Sequence, residues 1–365
     1  MRRVPLEYIR EGHYNAKQIY TTNGQMLIGA DVKLSQLYID KLRAAGFQSL
    51  YIHDEFCEAE ITEVIKPQLM AQIETISKNI TRLASAQLSI ITKKEEVSSS
   101  ITDFEEILDQ IMFDLIENTE VVNNLMSIST YDDFTFKHSL NMMMIALVMG
   151  NELGLNQIQM KELAMGCMFH DIGKLFVPKE ILNKPGRLTK EEFKLIQEHP
   201  RKGFEFMREY TNLSAMSRII ALEHHEKQDG SGYPENKIGG NTHWMSKICT
   251  VSDVFEALIA DRPYRPAIEI GNAREYIMGN GGTAFDINMV ECFIKAINPY
   301  PKDTRVLLSD GREGIVTQVN MDFNTRPVVT IHCEEKKRVT PYTVDLIDNL
   351  NLVISKTIYL FSFEN

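Results

Sequence analysis

The sequence predicts a mainly α protein, with an all-helical core over residues 122–298 and small β-containing modules at both ends. Three observations carry this. Residues 122–298 repeat apolar side chains at helical spacing and keep their polar motifs between the apolar stretches. Residues 1–58 and 299–365 carry β-rich runs bounded by Asn-Gly and Asp-Gly turns. Residues 59–121 have no aromatic between Ile61 and Asp103 and read as a helical linker.

Taken in order, Gln18–Thr22 and Gln25–Ile28 are predicted strands joined at Asn23-Gly24. Gln36–Ala45 is a short amphipathic helix closed by Gly46, and Leu50–Ile52 a further strand. In the linker, Leu69, Ile73, Ile76, Ile80, Leu83 and Ile90 recur at spacings of four and three, with Gln87 at the missing step. That stripe has two readings: a seam pairing two copies of the chain through residues 65–92, or a helix packed on its own domain. Lys93–Ser100 breaks the pattern, and its triple serine offers a cap for a helix starting near Thr102. Asn141–Leu153 is a methionine-rich helix, suited to an adaptable core. Beyond Pro299, the runs from Arg305, from Gly314 to Val319 and from Pro327 to Ile331 predict a small β module.

Composition excludes several classes. At 365 residues the chain holds two or three domains, and 44% apolar with 24% charged residues is ordinary for a globular protein. A net charge of -11 argues against gripping polymeric nucleic acid, while a small phosphorylated ligand remains compatible with bound metal. Five scattered cysteines without CxxC spacing suggest reduced thiols in a cytoplasmic protein. Met1–Glu7 lacks the apolar region of a signal peptide, and the run Met142–Gly150 is far short of the roughly 20 residues a membrane helix needs.

The chemistry concentrates in two doublets, His170-Asp171 and His224-His225. An imidazole beside a buried carboxylate is costly unless something cationic satisfies both. His138, His199 and Asp253 complete a set too large for one tetrahedral zinc and about right for two divalent ions sharing a bridge. Adjacent helical side chains diverge by about 100°, so His170 and Asp171 meet one site only near a helix end or across two metals. Asp171 suits the bridge. A paired-metal site makes hydroxide from a bridging water near neutral pH and clamps a phosphodiester for in-line attack. Lys174, one turn after His170, is either a phosphate clamp or a surface lysine. Arg262 and Arg265 either bind a second phosphate or purine or decorate a solvated helix end. Tyr233, in the loop Asp229–Pro234, can pack on a nucleobase, and Glu256 either orients a ligand histidine or is an ordinary helix-face acid. His13, His53, His243 and His332 belong to no such sequence pattern and read as structural or surface residues.

Residues 122–298 resemble the HD-GYP family of metal-dependent cyclic di-GMP phosphodiesterases. The resemblance rests on His138-Ser139, His170-Asp-Ile-Gly-Lys174, Asn183–Thr189, His199-Pro200, His224-His-Glu226, Asp229-Gly-Ser-Gly-Tyr-Pro234, and Asp253-Val-Phe-Glu256 leading to Asp261–Arg265. It implies an HD-type phosphohydrolase core, iron or manganese as the two ions, Lys174 near the substrate phosphate, and hydrolysis of cyclic di-GMP to linear pGpG or on to GMP. The alternatives are a phosphohydrolase for another cyclic or linear nucleotide and a catalytically silent cyclic-dinucleotide receptor. Some members of the family add a third metal through a glutamate one turn before the first histidine; here that position is Phe134. Asp132 and Asp133 are neighbours in sequence but would point elsewhere on a helix, so two metals are expected.

Overall fold

The computed structural model describes residues 2–20, 26–45, 47, 49–56, 67–86, 89–117, 134–260, 268–320 and 322–364. These fall into two compact units, one from residues 67–117 and 134–297, the other from residues 2–56 and 298–364.

Helix α1 (Gln36–Ala44) belongs to the second unit, and the helical unit begins with the two linker helices α2 (Pro67–Ser85) and α3 (Ile90–Glu117). They pack on each other as a hairpin. Ile73, Ile76, Ile80 and Leu83 are buried within the chain, each contributing roughly 1.5–3 kcal/mol. Of the two readings of the stripe, this burial favours a helix packed on its own domain over a seam through residues 65–92, and Ile90, beyond the break, is exposed. Gln87 lies outside the described residues.

The serine run does not start a helix. It lies inside α3, where the hydroxyls of Ser100 and Thr102 donate to the carbonyls of Glu96 and Ser98, at 3.2 and 3.1 Å. Back-bonding of this kind lets serine and threonine remain in a helix interior. The cap is Ser89, whose Oγ accepts from the Thr92 amide at 3.2 Å.

The helices that carry the motifs follow: α4 (Phe134–Glu152), α5 (Gln157–Met168), α6 (Lys179–Leu182), α7 (Lys190–Gln197), α8 (His199–Tyr210), α9 (Ala215–Glu223), α10 (Trp244–Ile259), α11 (Ile270–Gly279) and α12 (Ile287–Ala296). A 3₁₀ turn, Ile172–Phe176, joins α5 to α6. Met142, Met143 and Met144 are fully buried, as a core role requires. Helix α4 packs on α5 and α10, while α9 packs on α5 and α8. This brings the ends of α5, α7 and α9 together.

In the second unit β1 (Arg2–Pro5) pairs antiparallel with β4 (Ser49–Ile52), and β2 (Ile19–Tyr20) with β3 (Met26–Ile28). The predicted turn Asn23-Gly24 and the closing Gly46 lie outside the described residues. Strands β5 (Arg305–Leu308), β6 (Glu313–Gln318), β7 (Val328–Glu334), β8 (Lys337–Asp345) and β9 (Ile354–Thr357) form one antiparallel sheet in the order β8-β7-β6-β5-β9. The two ends of the chain join here. Tyr8 stacks on Tyr359 with ring centroids 4.9 Å apart, and Phe56 meets Phe361 edge-on at 5.3 Å. The Asp54 carboxylate takes Arg305 Nη2 at 2.8 and 2.9 Å and also pairs with Arg2.

Among the described residues no helix is long and apolar enough to cross a membrane. Cys167, Cys249, Cys292 and Cys333 are buried and free; Cys57 lies outside the described part.

Candidate metal centre

Three of the histidines stand at helix ends. His170 follows α5, His199 opens α8 directly after α7, and His224 follows α9. Helix ends leave carbonyls without an intrahelical partner. The Nδ1–H of each imidazole donates to the carbonyl three residues earlier, on Cys167, Ile196 and Ala221, at 2.7 Å in every case. A carbonyl can only accept, so Nδ1 carries the proton and Nε2 is left with its lone pair. The fold thus selects the ligating tautomer.

Asp171 lies among these lone pairs. Its Oδ1 is 3.2 Å from His199 Nε2 and 3.8 Å from His224 Nε2. Its Oδ2 is 3.2 Å from His170 Nε2 and 2.5 Å from Lys174 Nζ. Two ligand groups result, each with its donor atoms within 4.8 Å of one another: Asp171 with His199, His224 and His225, and Asp171 with His138 and His170. Asp253 touches one histidine of each group, with Oδ1 3.0 Å from His138 Nε2 and Oδ2 3.9 Å from His225 Nδ1.

The turn that presents Asp171 depends on Gly173. A Cβ there would lie 1.8 Å from the His199 carbonyl oxygen, so any side chain would push the turn off α8. Gly232 is equally constrained, since its Cβ would meet Lys227 N at 2.4 Å and His225 O at 2.5 Å.

Electrostatics follow from burial. Burial, reinforced by the neighbouring imidazoles, holds His224 well below the usual histidine range, and burial pushes His225 down to about 3. Burial opposes charge on Asp171 too, but His170 and Lys174 outweigh it and hold the carboxyl well below its ordinary value. Asp253 is likewise lowered against burial, chiefly by its hydrogen bond with His138. His138 goes the other way: Asp253 and Glu256 overcome burial and push it up to about 10. The carboxylates are ionised, and imidazoles crowd around them. His170 Nε2 and Asp171 Oδ1 are nevertheless buried without a hydrogen-bond partner. Buried polar atoms of this kind require a partner. The donor set fits divalent metal.

Glu256 accepts from His138 Nδ1, and its other oxygen accepts from Asn141 Nδ2 at 3.2 Å. Of the two readings of this residue, the geometry favours the orienting one. The Tyr233 ring lies 4.6 Å from that of His225, and its amide donates to the His225 carbonyl at 3.1 Å. Arg262, Arg265, Asp132 and Asp133 lie outside the described residues, as does the side chain of Phe134. His243 caps α10, His332 packs against Phe56 and Phe361, and His53 pairs with Asp31 at the surface; none is a member of the ligand groups. His13 accepts from the Arg10 amide in the other unit.

The roles of two residues could not be read from the sequence. Buried Glu226 accepts from the amides of Glu235 and Lys237 at 2.7 and 2.8 Å, fastening the Gly232-Tyr-Pro234 loop beside the histidine doublet. Buried Glu223 takes Lys237 Nζ at 2.6 Å and the His243 amide at 2.9 Å. The only signal was an acid on each side of His224-His225, which is common on helices.

Comparison with known proteins agrees with this geometry. Residues 120–289 match the HD domain, and residues 305–364 match the KOW domain associated with HD domain. A cyclic di-GMP phosphodiesterase of Pseudomonas aeruginosa is 30% identical over 245 residues, 67% of this chain and 58% of the relative. The cyclic di-GMP phosphodiesterase response regulator RpfG of Xanthomonas campestris is 35% identical over 152 residues, 41% of this chain and 40% of its own. A 3′3′-cGAMP-specific phosphodiesterase of Vibrio cholerae is 33% identical over 170 residues, 47% of this chain and 37% of the relative. The chain thus spans between 37% and 58% of the length of these relatives. With its HD domain, its paired doublets and its Gly232-Tyr-Pro234 loop, the chain belongs to the HD-GYP family.

Proposed function

We propose that this chain is a metal-dependent phosphodiesterase that hydrolyses cyclic di-GMP to linear pGpG, with GMP as the product of a second cut. The observation that carries the reading is Asp171, shared between two groups of histidines, with backbone carbonyls selecting the tautomers of His170, His199 and His224. Two divalent ions, iron or manganese, held by His138, His170, Asp171, His199, His224, His225 and Asp253 would supply Lewis acidity and an activated water. Lys174 then holds a non-bridging phosphate oxygen, a role supported by its contact with Asp171. Tyr233 borders the substrate, and Arg262 and Arg265 take a second phosphate or a purine. Phe134 in place of a third-metal glutamate favours two ions. Buried, unpaired cysteines favour a cytoplasmic location.

The 3′3′-cGAMP-specific relative favours a second reading, in which the substrate is a different cyclic dinucleotide. One experiment separates them. Protein reconstituted anaerobically with ferrous iron or manganese is offered cyclic di-GMP, 3′3′-cGAMP and cyclic di-AMP, and linear products are quantified. Fastest cleavage of cyclic di-GMP is expected. Tight binding without cleavage under either metal would make the protein a receptor.

A further inference from the structure

Helix α7 is fastened at both ends. At its start, Thr189 Oγ1 accepts from the Glu192 amide at 3.2 Å, and the Glu192 carboxylate accepts from the Thr189 amide at 2.7 Å. Both oxygens of Glu192 also take Lys184 Nζ at 2.7 Å. At its end, the Ile196 carbonyl holds His199 in its tautomer. Between these fixed points sits Phe193, 46% exposed. Its ring meets Tyr233 edge-on, with centroids 6.4 Å apart and planes at 78°. Tyr233 in turn lies 4.6 Å from the His225 ring and 6.3 Å from that of His199.

A half-exposed phenylalanine is unremarkable on its own. This one stands on the helix that leads directly into the ligand histidine His199, against the aromatic that neighbours that histidine and His225. We propose that Phe193 is a base-stacking platform, taking one base of a cyclic dinucleotide while the phosphate reaches the metal centre. The proposal rests on the substrate reading given above. A purine lying flat on Phe193 would stand nearly perpendicular to Tyr233, the edge-to-face relation that aromatic rings favour. Stacking engages the π face that every base has. Phe193 therefore sets affinity for purine cyclic dinucleotides as a class and does not separate guanine from adenine.

The test compares metal-loaded wild type with Phe193→Ala, Phe193→Leu and Phe193→Trp. Each is assayed on cyclic di-GMP and on methyl p-nitrophenyl phosphate, a diester without a nucleobase. Leucine keeps an apolar contact for Tyr233 but removes the π face; tryptophan restores it. For the Ala and Leu variants, kcat/KM on cyclic di-GMP relative to the small diester should fall by about tenfold, mainly through KM, and Trp should recover most of it. Metal content should match the wild type. An equal fall on both diesters, or a Leu variant as good as wild type, would overturn the proposal and leave Phe193 as a prop for Tyr233. A wild type that binds cyclic di-GMP without cleaving it is tested by the same variants through Kd, with the same loss expected. A wild type that cleaves the small diester but neither binds nor cleaves cyclic dinucleotides sinks the substrate reading, and this proposal with it.

Discussion

Asp54 and Asp171 are both buried carboxylates, one in each unit, and they are made tolerable in opposite ways. Burial alone would raise the Asp54 pKa, but Arg2 and Arg305 outweigh it and hold the carboxyl below its ordinary value. Arg305 is further seated over the rings of Phe361 and Phe56, at 4.3 and 5.1 Å. The counter-charge is part of the chain. Around Asp171 the chain supplies imidazoles, with Lys174 Nζ beside its Oδ2. A charge cluster that the protein closes by itself is structural. One completed with lone pairs is built for a cation from outside.

The largest expected effect breaks the second cluster. Replacing His170 and Asp171 together with alanine should remove most metal and lower turnover by at least about a thousandfold, because the water-activating ions are lost. Circular dichroism should show the helices intact. Full metal occupancy in the double variant would refute the ligand assignment.

Breaking the first cluster should do the reverse. Asp54→Ala strands two arginines and should destabilise the terminal unit by about 3–5 kcal/mol in urea unfolding, while folded protein keeps its metal. The pH dependence has a definite sign. Because folding lowers the Asp54 pKa, its stabilisation is present above the unfolded carboxyl value and is lost as pH falls through the lowered one. Chelation should abolish turnover without moving that transition. A chelator that unfolds the terminal unit would show that the two clusters are not independent.

Two smaller effects sharpen the picture within the metal centre. Glu256→Gln removes the carboxylate behind His138 and should weaken metal binding by about 10–100-fold in competition titrations. Unchanged affinity would reduce Glu256 to a packing role. Lys174→Ala should slow cyclic di-GMP hydrolysis by about tenfold or more, since a charge-assisted contact contributes about 1.5–3 kcal/mol. Both ions should remain bound, and loss of metal in this variant would make Lys174 a support for Asp171 instead of a phosphate clamp.

What could be read from the sequence follows physical range. Helices with apolar periodicity and the histidine doublets are local patterns, and the structure gathers His138, His170, Asp171, His199, His224, His225 and Asp253 around one centre. Contacts made across long stretches of chain were invisible: the clamp of Glu226 on the loop, the pairing of β1 with β4, and the meeting of Asp54 with Arg305. Local signals also misled where a competing hydrogen bond exists, as in the serine run of α3. Strands β8 and β9 gave little alternation because each borders the sheet on one side only. The turn joining β7 to β8 uses Glu335 and Lys336 at positive φ, without the glycine or asparagine that would announce it.

Those two polar borders have a consequence for the protein at high concentration. An open sheet edge is a template on which another chain can add a strand. Strand β8 is largely exposed and carries Lys337, Arg338 and Pro341, the proline falling where the register with β7 shifts between Ile331 and Cys333. Strand β9 is only four residues long and carries Lys356. Charge, a missing amide and short length each discourage edge-to-edge growth. The features that hide these strands from a sequence reader also protect the C-terminal module from aggregation through its edges.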